Sequence, residues 1–139
     1  MNRAQRRPTR RGLGLALVGS ILGLGLACAD DTSEVAVSIR PQEILESPHT
    51  DLRILDVRTQ EEYASGHVPG ALHIPHDEVA TRLEEVGADR DRTLVVYCER
   101  GGRATKAEEA LRAAGYTDVR HLEGDMRGWR EAGLPVVRR

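Results

Sequence analysis

The sequence predicts an α/β domain built on a mainly parallel sheet, preceded by a separate leader. Three observations carry that expectation. From Val35 onward, short apolar runs alternate with helix-like stretches, as successive strand–helix–strand units require. Glycines and other turn residues punctuate the runs. The part after the leader holds about 110 residues, enough for one domain and too few for two.

Each element has its own signal. Residues 35–39 form a first strand, and Pro41 suits the first position of a small helix, where a missing N–H costs nothing. Residues 52–57 are a second, largely apolar strand. Thr59-Gln60-Glu61-Glu62 then places hydroxyl and carboxylate at the spacing of a capping box, so a helix starts there. Gly66 ends it. Residues 72–74 are short enough for an edge strand. Val79, Leu83 and Val86 stand at i, i+4 and i+7, predicting one helix closed by Gly87. Residues 93–97 are the clearest buried strand. Ala104, Ala107, Leu111 and Ala114 mark a helix whose small residues allow close packing on the sheet, and Gly115 stops it. Residues 119–122 are the last strand. Residues 125–132 form the last helix, with Trp129 plugging a core that, lacking Phe, must be aliphatic.

The leader reads differently. Residues 12–27 are apolar apart from Ser20 and follow five arginines, the physical form of an export signal. The stretch is too short for the roughly 20 residues of a spanning helix. It ends at Leu24-Gly25-Leu26-Ala27-Cys28, which resembles a bacterial lipobox, although Gly25 stands where leucine is usual. Residues 1–28 are therefore expected to be a lipoprotein-type signal with Cys28 lipidated, residues 29–35 a tether, and residues 36–139 the domain. Simple secretion and an uncleaved anchor are the alternatives, and Arg10-Arg11 also resembles a twin-arginine address. All place the domain outside the cytoplasm, in the cell envelope or periplasm.

Charge and cysteine content narrow the function. Residues after 28 carry 15 basic and 22 acidic side chains, near −7, which argues against nucleic-acid binding. Only Cys28 and Cys98 are present, so a disulfide framework is excluded. Cys98-Glu99-Arg100-Gly101-Gly102-Arg103 lies between the best strand and the following helix, the ligand-binding end of open α/β sheets. Such a loop aims backbone N–H groups and the positive end of a helix dipole inward. Gly101 and Gly102 permit a tight curve, and Arg100 and Arg103 add fixed positive charge. Comparable settings lower a thiol pKa from about 8.5 into roughly the 3.5–7.5 range, so Cys98 is expected as a reactive thiolate beside an anion site. A buried inert thiol is the plain alternative. His73 and His76 lack metal-ligand spacing with another strong ligand, so no metal site is expected.

Taken together, this loop, residues 54–58 (Ile-Leu-Asp-Val-Arg), residues 66–75 (Gly-His-Val-Pro-Gly-Ala-Leu-His-Ile-Pro), residues 122–124 (Leu-Glu-Gly), Trp129 and residues 132–136 resemble the single-domain rhodanese family of sulfurtransferases. The likeness spans about residues 36–136. It implies a three-layer fold, with a central five-stranded parallel sheet between helices. It also implies that Cys98 takes a sulfane sulfur from a donor such as thiosulfate, becomes a persulfide, and passes it to cyanide or a thiol, with no cofactor. By the match, Glu99 to Arg103 supply the backbone cradle, and Arg103 is the loop-ending arginine. Asp56 and Arg58 are expected in a structural hydrogen-bonded network that could include Glu62, and His67 in turn hydrogen bonds.

Two departures stand out. Gly124 is followed by Asp125 where a second glycine is common; Asp125 can cap the last helix, or set a negative charge near the pocket mouth. Ala104 replaces a frequent Ser or Thr. Two other functions compete: a phosphatase or arsenate reductase, which needs a loop one residue longer with arginine at 104, and a membrane-tethered, non-catalytic sulfur-carrier or binding module. Oligomeric state has no signal in the sequence.

Overall fold

All five strands of the sheet run parallel, in the order β1-β5-β4-β2-β3. The structure is a computed structural model and describes residues 37–48 and 50–139. The leader, the tether, Cys28 and the first two residues of the expected first strand lie outside the described residues. The strands are β1 (Ser38–Ile39), β2 (Leu52–Asp56), β3 (Leu72–His73), β4 (Thr93–Tyr97) and β5 (Val119–Leu122). The helices are α1 (Pro41–Glu46), α2 (Gln60–Ser65), α3 (Leu83–Val86), α4 (Gly102–Ala113) and α5 (Asp125–Glu131).

Strand β4 shows why the domain has three layers. Side chains alternate across a strand. Leu94, Val96 and the following Cys98 enter one core with Ala104, Ala107 and Leu111 of α4. Val95 and Tyr97 enter the other, with Ile44 of α1, Tyr63 of α2, and Met126 and Trp129 of α5. A strand buried on both faces has no polar side to show, hence its unbroken apolar run. Trp129 is fully buried, and its indole N–H donates to the Pro135 carbonyl at 2.8 Å.

The capping box at α2 forms as expected: Thr59 Oγ1 accepts from the Glu62 amide, and Glu62 Oε2 accepts from the Thr59 amide. The single helix expected around Val79 to Val86 does not form. A 3-10 turn, Val79–Thr81, precedes α3, and Arg82 between them has φ −119° and ψ 31°. β-Branched Val79 and Thr81 are poor helix formers. The Thr81 hydroxyl also donates to the Glu78 carbonyl, tightening the turn.

Because every strand points the same way, the ends of β2, β4 and β5 share one edge of the sheet. Asp56, Tyr97 and Leu122 end those strands there. The residues that follow, Arg58, Cys98 and Asp125, are thereby gathered at one edge.

Candidate active site

Cys98 leaves β4 into the loop and is a free thiol, 2 % exposed. Its Sγ accepts the Gly101 N–H at 3.0 Å. The chain turns at Gly101 with φ +99°, a region that side chains disfavour. A Cβ there would also sit 3.2 Å from Asp125 Oδ2 and 3.5 Å from His121 Nε2. Glycine at 101 is thus required twice over. Gly102 is different: it opens α4, and a Cβ would meet nothing within 4 Å. The expectation that the curve needs both glycines is corrected to one.

Arg103 is fixed by a two-pronged ion pair, Nη1 to Glu62 Oε2 at 2.6 Å and Nη2 to Glu62 Oε1 at 2.8 Å. Glu62 is therefore not part of the Asp56–Arg58 network. It caps α2 and holds the loop arginine across to it. The Arg103 hydrogen bond holds the Glu62 carboxyl well down, at about 2. Arg103 is in turn pushed above its ordinary range by Glu62 and, more weakly, by Cys98 close by. The Glu99 side chain is occupied by Arg58, at 3.4 Å, and by Arg130. Arg100 is exposed and has no ion-pair partner among the described residues, leaving its charge open to solvent.

A thiol receiving a backbone N–H at the amino end of a twelve-residue helix, with a locked guanidinium beside it, is the loop the sequence points to. Comparison with known proteins decides the family. Residues 41–132 match the Rhodanese-like domain. The chain belongs to the rhodanese-like domain family. It is 38% identical over 87 residues to a sulfurtransferase of Allochromatium vinosum, covering 63% of this chain and 79% of that protein. It is 40% identical over 116 residues to an HTH-type transcriptional regulator of Mycobacterium tuberculosis, covering 81% of this chain but half of that protein. A human single-domain sulfurtransferase has a similar structure, with TM-score 0.61 and 29% identity over 69% of this chain and 96% of that one.

Within the rhodanese-like domain, Asp56 and Arg58 form a buried cluster. Asp56 Oδ1 accepts the Arg58 amide and Nε, both at 3.0 Å, and Oδ2 accepts Arg58 Nη2 at 2.6 Å and the Tyr97 hydroxyl at 2.7 Å. Burial, then the Asp56 charge, pushes the Tyr97 phenol above its ordinary range. Arg58 also donates to the Gly66 carbonyl at 2.8 Å, joining the end of β2 to the end of α2. His67 makes structural bonds: its Nδ1–H donates to the Tyr63 carbonyl at 2.9 Å, and its backbone pairs with Val137. Its ring stacks on Tyr63 at 3.8 Å.

Asp125 does not cap α5. Gly124 is the cap residue, and Asp125 follows with φ +53°, its carboxylate turned under the Cys98 loop. Oδ1 accepts the Cys98 N–H at 2.9 Å, and Oδ2 faces His121 Nε2 at 3.0 Å. His121 Nδ1 faces Glu108 Oε1 at 2.5 Å. Sequence reasoning missed His121 and Glu108. Glu108 did leave a signal, one turn beyond Ala104 and three before Leu111 on a face that must be apolar, because buried glutamates are rare unless paired.

Proposed function

We propose that this protein is a sulfurtransferase working through a Cys98 persulfide. The observation that carries the proposal is the Gly101 N–H on Cys98 Sγ at 3.0 Å, inside a loop closed by the locked Arg103. Covalent catalysis divides the transfer into two displacements. The Cys98 thiolate attacks the outer sulfur of thiosulfate, the donor's S–S bond breaks, and sulfite leaves with the electron pair. Cyanide or a thiol then attacks the outer sulfur of the persulfide, releasing thiocyanate or a new persulfide and restoring the thiolate. The Gly101 amide, already aimed at the sulfur, stabilises the charge that moves through it, without reorganisation. Arg100 draws the dianionic donor toward the loop, and Arg103 meets it there.

The export reading of residues 1–28 belongs to the same proposal, with the domain held in the cell envelope by lipid on Cys28. The sulfur-transfer test uses the full chain: thiocyanate formation from thiosulfate and cyanide, and one added sulfur atom at Cys98 by mass spectrometry. Cys98→Ser is expected to abolish both while leaving the circular dichroism spectrum unchanged. Equal turnover in that variant would end the proposal.

A further inference from the structure

Asp125 puts a carboxylate behind a loop suited to hold anions. It is 5 % exposed, it accepts the Cys98 amide, and its Oδ2 lies 3.2 Å from where a Cβ on Gly101 would sit. Uncompensated, that charge would oppose both the sulfur anion and an anionic donor in front of it. The answer lies on β5. His121 meets a carboxylate oxygen at each ring nitrogen, Asp125 at 3.0 Å and Glu108 at 2.5 Å. Ionised carboxylates only accept hydrogen bonds, so the doubly protonated imidazolium is the form that satisfies both. Arg112 lies 3.4 Å from the other oxygen of Glu108. Two carboxylates, one imidazolium and one guanidinium leave the quartet neutral.

We infer that His121 is a positioning residue, whose charge cancels Asp125 behind the Cys98 loop so that the loop accepts anionic sulfur donors in front. The inference rests on the sulfurtransferase reading of that loop. Asp125, then Glu108, pushes His121 up to about 10, so it carries its charge across the neutral range. The charged groups around it are Glu108, Glu109 and Arg112 from α4, Asp118 just before its own strand, and Asp125 from α5. Its sheet neighbours in register, Ser38 of β1 and Val96 of β4, carry no charge. On its open side His121 borders a groove of about 560 Å³ and keeps 22 % of its side chain exposed.

The test compares wild type, His121→Gln, Asp125→Asn and the double variant, each as the full chain. The first readout is the ratio of Cys98 alkylation rates by anionic iodoacetate and neutral iodoacetamide, scored on the peptide carrying Cys98. The second is the KM for thiosulfate. His121→Gln is expected to lower the ratio and raise KM, each by roughly tenfold, the scale of one nearby charge in a partly screened site. Asp125→Asn keeps an oxygen for the Cys98 amide and moves the ratio the other way. The double variant returns both readouts to near the wild-type values, which a purely structural role for His121 would not do. In wild type, KM for thiosulfate rises as pH climbs through about 10, and this limb is missing from the double variant. A single His121→Gln that leaves the ratio unchanged, or a double variant as impaired as the single, overturns the inference. If wild type transfers no sulfur while the alkylation pattern holds, the sulfurtransferase reading fails and the charge balance stands.

Discussion

On the β2 side of the Cys98 loop, Asp56, Arg58 and Tyr97 are each no more than 1 % exposed, and the Asp56 carboxylate is held by Arg58 and the Tyr97 hydroxyl. On the β5 side, His121 keeps 22 % of its side chain exposed beside a groove, and its charge depends on a proton. Both clusters place a carboxylate next to the loop, and both neutralise it. They differ in the cation. Arg58 stays charged at any working pH and grips with a flat fork. Histidine is the residue whose charge a protein can switch. The first cluster is a fixed anchor, and the second is an adjustable counterweight.

The largest effect expected from breaking this contrast is at Asp56. Asp56→Ala leaves the buried Arg58 guanidinium with only Glu99, at 3.4 Å, to balance it, a loss of about 3–5 kcal/mol for such pairs. Urea unfolding would show it as a lower midpoint. Asp125→Asn, in the solvent-linked cluster, should cost less by the same measurement, because the amide oxygen still accepts the Cys98 N–H and His121 keeps Glu108. Equal losses at the two carboxylates would erase the distinction drawn between them.

Next comes the loop that the clusters share. Gly101→Ala meets both a positive φ and the Asp125–His121 pair, for a cost of about 1–3 kcal/mol. Gly102→Ala enters open space at the start of α4 and should stabilise by up to about 1 kcal/mol. Thermal melts of the two variants should therefore move in opposite directions.

The remaining effects are those of pH. Glu62 is more acidic folded than unfolded, so its contribution to stability is complete above about pH 4.5 and is lost as pH falls toward 2. His121 is more basic folded than unfolded, so its contribution is complete below about pH 6.5 and is lost as pH rises through 10. Stability against urea should thus fade at both extremes. The alkaline loss should vanish in the His121→Gln/Asp125→Asn variant and persist in Glu62→Gln.

Much of this arrangement is legible in the chain. The buried run of residues 93–97, the capping box at Thr59, the cysteine loop and the plug at Trp129 are all local patterns, with period, spacing or composition to announce them. The polar pairings are not local. Arg103 finds Glu62 from 41 positions away, and Cys98 finds Asp125 from 27, through strand order that no window of sequence contains. Asp125 is harder still, because an aspartate before a helix reads as a cap. Its left-handed backbone, which swings the carboxylate under the loop instead, goes with its bonds to Cys98 and His121, which a local reading does not contain. The broken helix around Arg82 failed for a simpler reason. Apolar spacing alone cannot tell one helix from a 3-10 turn and a short helix that present the same residues.

Strand β1, near the start of the domain, is hydrogen-bonded to β5, its final strand, with Ser38 opposite His121. Emerging from a ribosome, the chain must therefore hold its first strand unmatched until almost everything else has been made. Closing so wide a loop costs entropy that local contacts cannot return early, and it slows folding relative to helical proteins of similar size. That edge also receives the histidine behind the cysteine loop. A chain made only as far as α4 carries its thiol before Asp125 and His121 exist behind the loop.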